Sequence, residues 1–253
     1  MGLRLAVDAA SGVATITIDR PHKRNAMTRA MWLELPRLLD GLAADPAVRV
    51  VVVTGAGGDF CAGADISELT DDRHRGHPST VAETALAAFP KPTVAAIEGV
   101  CVGGGCQLAA ACDLRFAASS ARFGVTPARL GLVYPASATV RLVRLVGPSA
   151  AKYLVYSAEL IDAAHALRVG LVDEVVADDV HARVADFART LASRSLLTQF
   201  AAKEIIEAAA AGRPADETAR AWQAEAAASG EADEGVAAFL ERRPPAFPWT
   251  PHR

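Results

Sequence analysis

The sequence predicts an α/β protein that ends in a helical part. Two observations carry this. Short apolar, β-branched runs alternate with helical patterns, and twice in succession a strand, a glycine-rich loop and a helix follow one another. From residue 180 to 240 the pattern is then nearly all helical, with a shift in composition near residue 190. The division read from this is a core over residues 1–190 and a helical part over 191–253. With 253 residues, 51% of them hydrophobic, the chain can bury a sizeable core.

The elements follow in order. Residues 3–7 and 13–18 are apolar runs around Asp8-Ala9-Ala10-Ser11-Gly12, which predicts a β-hairpin closed by Arg20-Pro21. Thr28 is a candidate N-cap for a helix in which Met31, Leu35, Leu38 and Leu42 recur on one face. Pro36 should kink that helix or shift its start. Residues 48–53 are all valine apart from Arg49, so they predict a strand buried on both faces. A glycine-rich loop follows over residues 55–65. Residues 71–80 are charged and polar and read as a mobile surface segment. Its His74 and His77 have no third ligand at matching spacing, so no metal site is expected. A short helix is predicted over 81–89, strands over 92–97 and 114–117, a buried helix over 108–112 and a late strand over 171–176. The helical part should break near Arg194-Ser195, Gly212-Arg213-Pro214 and Gly230. The Pro-rich tail over 243–248 should be extended.

Five residues stand at the centre of this order: Gly103-Gly104-Gly105-Cys106-Gln107. They join a buried strand to a buried helix. Without Cβ atoms, their backbone can approach a ligand closely. The first N–H groups of the helix lack intrahelical partners and carry the positive end of its dipole. Such a turn suits a developing negative charge. Both glycine loops follow parallel-type strands, and ligands of open α/β sheets bind beyond the carboxyl ends of such strands. The two loops should therefore meet at one crevice.

Composition excludes other classes. The net charge is −3 and there is no long basic block, which argues against nucleic acid and anionic membranes as partners. No apolar run approaches a membrane span. Met1-Gly2-Leu3-Arg4-Leu5 lacks the apolar core of a signal peptide. Cys61, Cys101, Cys106 and Cys112 lie in apolar or glycine-rich settings and read as reduced, mostly buried thiols. The expected location is cytoplasmic.

The two loops together carry a resemblance. Phe60-Cys61-Ala62-Gly63-Ala64-Asp65-Ile66, Lys91-Pro92, Gly99 with Gly103-Gly104-Gly105-Cys106, and Cys112-Asp113 resemble the crotonase superfamily, the enoyl-CoA hydratase/isomerase family. The resemblance runs from Arg20-Pro21 with Asn25-Ala26, through Gly170-Leu171-Val172, to Phe239-Leu240-Glu241-Arg242-Arg243. It implies a crotonase-like spiral of ββα units with a C-terminal helical trimerisation region, assembled as a homotrimer or homohexamer. It implies an acyl-CoA thioester as ligand, with no cofactor beyond the CoA moiety. By analogy, the N–H groups of Ala62 and Gly104 form an oxyanion hole. Residues Ala62, Gly63, Ala64, Asp65 and Ile66 would line the CoA arm. Arg24 and Ala26, with Phe239 and Arg242 from a neighbouring subunit, would approach its nucleotide end.

The chain departs from the family where hydratases carry two glutamates. The Gly-Gly-Gly-Cys-Glu pattern here ends in Gln107, and the Phe-Gly-x-Pro-Glu pattern places Pro127 at the second glutamate. An amide can hydrogen-bond but exchanges no proton near neutral pH. Tyr134, eight residues after Thr126, resembles a tyrosine of methylmalonyl-CoA decarboxylases of the same superfamily, which contacts the departing carboxylate. Those decarboxylases carry Ala-Gly-His-Asp in the first loop, where this chain has Ala64. Asp65, Glu68 and Glu98 are further candidate bases, though Asp65 and Glu68 read first as helix caps, and Arg129 is a candidate carboxylate partner that reads first as a surface residue. Three functions follow: a hydratase or isomerase, an acyl-CoA decarboxylase using Tyr134, or a non-catalytic acyl-CoA binding protein.

Overall fold

The computed structural model describes residues 2–68 and 78–251. Strands β1 (Gly2–Asp8) and β2 (Val13–Asp19) form the expected hairpin, antiparallel, with Leu5 opposite Ile16. Only β2 turns a fully apolar face to the core, through Ala14, Ile16 and Ile18. Helix α1 (Arg29–Ala44) starts where the Thr28 side chain accepts the Met31 N–H at 3.3 Å. It buries Met31, Trp32, Leu35, Leu39 and Leu42, while Leu38 is half-buried. Pro36 neither breaks the helix nor moves its start. It costs one backbone bond, and buried residues on both sides hold the helix through it.

The next units follow the predicted rhythm. They are β3 (Val50–Gly55), α2 (Pro78–Ala87), β4 (Thr93–Ile97), β5 (Val100–Val102), α3 (Gly104–Ala111), β6 (Leu114–Ala118) and β7 (Arg122–Gly124). Helix α4 (Ala136–Ser157) is interrupted at Gly147, whose φ of 73° precedes Pro148. After it come β8 (Ile161–Asp162), α5 (Ala163–Arg168) and β9 (Glu174–Val176). The late strand is shorter than its apolar run, since Leu171 and Val172 are buried ahead of it. The rest is helical: α6 (Val180–Ala192), α7 (Leu196–Ala210), α8 (Asp216–Ser229) and α9 (Glu231–Glu241), with breaks where the sequence puts them.

The main sheet runs β1-β2-β3-β4-β6-β9 and is parallel from β2 onward. A small sheet, β5-β7-β8, stands apart from it. One face of the main sheet packs with helices α1 to α5 into the large core. On the other face, Val50, Val52, Val94, Ala96 and Phe116 meet Val180, Val184 and Ala188 of α6. A third cluster, Leu196, Leu197 and Trp249 with Phe200 and Trp222, joins the last helices to the tail. Arg49 ties this end to the sheet, donating from Nε to the Ala192 carbonyl at 2.7 Å and from Nη2 to the Arg194 carbonyl at 2.8 Å.

Candidate active site

The first glycine loop is clamped from below by Asn25. This residue is wholly buried and left-handed, with φ of 59°. Its Oδ1 accepts the Arg20 N–H at 2.9 Å, and its Nδ2 donates to the carbonyls of Ala56 at 2.8 Å and Asp59 at 2.5 Å. The loop then lies along β5: Cys61 N–H donates to the Val100 carbonyl at 2.8 Å, and Val102 N–H donates to the Cys61 carbonyl at 2.9 Å. This brings it against the second glycine turn. A Cβ on Gly105 would stand 2.1 Å from the Cys61 carbonyl oxygen, so only glycine permits the approach.

The approach aligns two backbone donors, and one differs from the sequence expectation. Ala62 N–H is already committed, donating to the Arg24 carbonyl at 2.9 Å. The Ala64 N–H is not engaged in this way. Met27 N–H donates to the Gly63 carbonyl and Asp65 N–H donates to the Met27 carbonyl, both at 2.8 Å. This bridge leaves the Ala64 N–H on the opposite side, with no acceptor among the described residues. The nitrogen of Ala64 lies 3.4 Å from the point where a Cβ of Gly104 would be. Gly104 opens α3 behind the N-cap Gly103, so its own N–H is one of the helix's orphan donors. Trp32 packs beneath: its Cζ2 is 3.0 Å from that same Cβ position. Its indole Nε1 is enclosed without a partner among the described residues.

One helical turn beyond Gly104, Gln107 is buried and donates from Nε2 to the Ser79 carbonyl at 3.3 Å and to Glu83 Oε2 at 3.2 Å. Glu83 has no exposed surface. It also accepts from Ser137 Oγ at 2.8 Å and Arg141 Nε at 3.1 Å. The sequence reading passed over Glu83, because its partners come from α3 and from α4, a helix it did not anticipate. Pro127 opens a short 3-10 turn, Pro127–Leu130, and offers no acid or base. The preceding Thr126 Oγ1 lies 3.7 Å from the Cβ position of Gly103. Tyr134 donates its hydroxyl to the Gly103 carbonyl at 3.2 Å, and burial holds its phenol well above the usual tyrosine range.

The other candidates have structural partners. Asp65 takes the Ser67 hydroxyl at 2.7 Å and both terminal nitrogens of Arg20 at 3.0 Å, and these bonds hold its carboxyl below the usual range. Glu68 accepts the Arg29 N–H at 2.6 Å and so caps α1. Glu98 is half out in solvent beside His181, 3.4 Å away. Arg129, Arg24 and Ile66 are exposed, and the Ala26 carbonyl accepts from Arg20 Nη1 at 2.6 Å. Phe239 is 83% exposed on α9, and Arg242 ends that helix in a left-handed turn. His74 and His77 lie outside the described residues, as do residues 71–77 as a whole. Among the described residues no three histidine, cysteine or acidic side chains cluster as a metal site. The four cysteines are free and buried, and burial pushes the thiols of Cys61 and Cys112 up to about 12.

Two glycine turns locked face to face beside a parallel sheet, with a small second sheet and trailing helices, make this a crotonase-type fold. Known proteins agree. The family profile described as enoyl-CoA hydratase/isomerase matches residues 8–249. A crotonyl-CoA hydratase from Syntrophomonas wolfei is 36% identical over 91% of this chain and 92% of its own length. A 2,3-dehydroadipyl-CoA hydratase from Escherichia coli is 36% identical over 96% and 98%. The crystal structure of an enoyl-CoA hydratase from Bacillus anthracis superposes with a TM-score of 0.89 at 32% identity, covering 96% of this chain and 98% of that one. The chain belongs to the enoyl-CoA hydratase/isomerase family of acyl-CoA enzymes.

Proposed function

We propose that the N–H groups of Ala64 and Gly104 receive the carbonyl oxygen of an acyl-CoA thioester and stabilise an enolate on it. The observation that carries this is the pair of unpartnered backbone donors, brought together from two separate loops. Adding water across a conjugated double bond, moving that bond, or losing CO2 beside the thioester all push charge onto the same oxygen. Removing one such donor typically costs about 2.7–4 kcal/mol of transition-state stabilisation. Gly63, Ala64, Asp65 and Ile66 would line the CoA arm, with Arg24 and Ala26 at its nucleotide end. The CoA moiety is the only cofactor the scheme needs.

The reaction is hydration or isomerisation of an enoyl-CoA, as in the relatives. Gln107 and Pro127 remove the usual proton-transfer groups, and each such group contributes roughly 10²–10⁴-fold. Turnover of crotonyl-CoA should therefore be slow. Decarboxylation is the second reading, because neither Gln107 nor Pro127 presents an anion that would repel a departing carboxylate. The Tyr134 hydroxyl stands beside Gly103 at the edge of the donor pair.

The assembly belongs to the same proposal. Val236, Phe239 and Leu240 on α9 are 61%, 83% and 74% exposed, an apolar row suited to a second copy of the chain in a homotrimer or homohexamer. Phe239 and Arg242 would there reach the nucleotide end of a neighbour's ligand.

The test is a panel of crotonyl-, 3-enoyl- and methylmalonyl-CoA followed by mass spectrometry and NMR. Gain of water or a moved double bond supports the first reading, and loss of CO2 the second. Binding without any product makes the chain a thioester-binding protein. Absence of binding removes the acyl-CoA reading altogether.

A further inference from the structure

We propose that Glu83 is a positioning residue that fixes the polarity of Gln107, so that the acyl site presents a hydrogen-bond acceptor at that point and selects ligands that donate there. The inference rests on the acyl-CoA reading above and sharpens it.

The argument starts from the amide. Gln107 Nε2 lies 3.3 Å from the Ser79 carbonyl and 3.2 Å from Glu83 Oε2. Both neighbours accept hydrogen bonds. Turning the amide over would set its oxygen against a carbonyl and a carboxylate, so the nitrogen has to stand where it does. Its two hydrogens are then both used inside the protein. Gln107 Oε1 accepts from none of the described residues, yet unlike Trp32 Nε1 it is not an enclosed orphan. Gln107 follows Gly104 by one turn on the same face of α3. The donor pair and this acceptor thus stand at neighbouring levels of one helix.

Glu83 is what makes the arrangement one-way. It is wholly buried and is itself held by Ser137 Oγ at 2.8 Å and by Arg141 Nε at 3.1 Å, both from α4. All three partners are donors, so the carboxylate can offer only acceptance to Gln107. A thioester with a hydroxyl a few bonds from its carbonyl can satisfy Oε1, and so can a water molecule. A thioester with a keto oxygen at that point meets oxygen against oxygen.

The experiment measures dissociation constants for 3-hydroxybutyryl-, 3-oxobutyryl- and butyryl-CoA, each checked for integrity by mass spectrometry. Butyryl-CoA has no polar group at that point and is the internal reference. The wild type should prefer the hydroxyl over the keto ligand by about 2- to 10-fold, the worth of one net hydrogen bond. In Glu83→Gln, Arg141 Nε holds the new amide by its oxygen, and the amide nitrogen takes the place of Oε2, facing the Ser137 hydroxyl and Gln107. Only the Ser79 carbonyl then opposes a turned Gln107, so the amide is no longer fixed one way and the hydroxyl preference should shrink. A role confined to stability would weaken all three ligands together and leave the ratio alone. Gln107→Leu is the second variant, since it keeps the volume and removes the acceptor; the preference should vanish. An unchanged ratio in either folded variant overturns the inference. A wild type that binds all three ligands equally also overturns it while leaving the acyl-CoA reading standing. A wild type that binds none sinks both.

Discussion

At Gly104 the candidate site has no spare room. A methyl group there would stand 3.0 Å from Trp32 Cζ2 and 3.4 Å from the Ala64 nitrogen. The indole cannot retreat freely, because Trp32 is buried in the core. Gly104→Ala should therefore spread the two donors and slow turnover of whichever thioester proves active by at least 10-fold. Circular dichroism should show the helices intact; a variant that is folded and equally fast would remove Gly104 from the mechanism. The sequence located this turn and its partner loop but named Ala62, whose N–H is bonded to the Arg24 carbonyl, where the proposal uses Ala64. Ala62 and Ala64 are chemically alike and flank the same glycine. What separates them is the bridge to Met27, a pairing between segments 37 residues apart that no local pattern encodes. Glu83 escaped for a similar reason. A single acidic residue in an amphipathic helix looks solvated until Arg141 and Ser137 are brought to it from another element.

Elements with a clear apolar run, period or cap were legible, and the shortest strands and one long helix were not. The hairpin, β3, β4, α1 and the breaks between the last helices all follow from apolar period and capping residues. The small sheet has strands of three, three and two residues, too short for any period to register. Helix α4 was not anticipated; it carries Gly147-Pro148, a pair that ordinarily ends a helix and is here a break inside one. Helix α1 also carries a pH-dependent device at its C-terminal end. Lys91 Nζ donates to the carbonyls of Leu42 and Asp45, each at 2.7 Å, and burial pushes its ammonium down to about 8 from 10.5. Between those values the unfolded chain holds a proton that the folded one has released, so stability rises with pH. The neutral amine keeps two N–H bonds for its two carbonyls. Urea unfolding at pH 7.5 and 9.5 should show the wild type gaining relative to Lys91→Met at the higher pH. A constant difference would contradict the assignment.

For the whole molecule the open question is assembly. The proposed contact uses the row on α9, where Leu240 is 74% exposed. Leu240→Asp puts a charge in that row without touching the core and should shift the protein towards smaller species in light scattering behind gel filtration. If the wild type is already monomeric, the trimer proposal fails at once. The ion pair between buried Glu83 and half-buried Arg141 has a consequence in time as well as in space. The ribosome makes Glu83 well before Arg141, which follows it by 58 residues. At 5–20 residues per second that interval is on the order of several seconds. During it the nascent chain holds a carboxylate destined for the interior and no guanidinium to meet it. An uncompensated charge resists burial, so α2 and α3 have reason to stay apart until α4 emerges. A message truncated before Arg141 should then yield a chain that chaperones and proteases treat as unfinished, although both glycine turns have already been made.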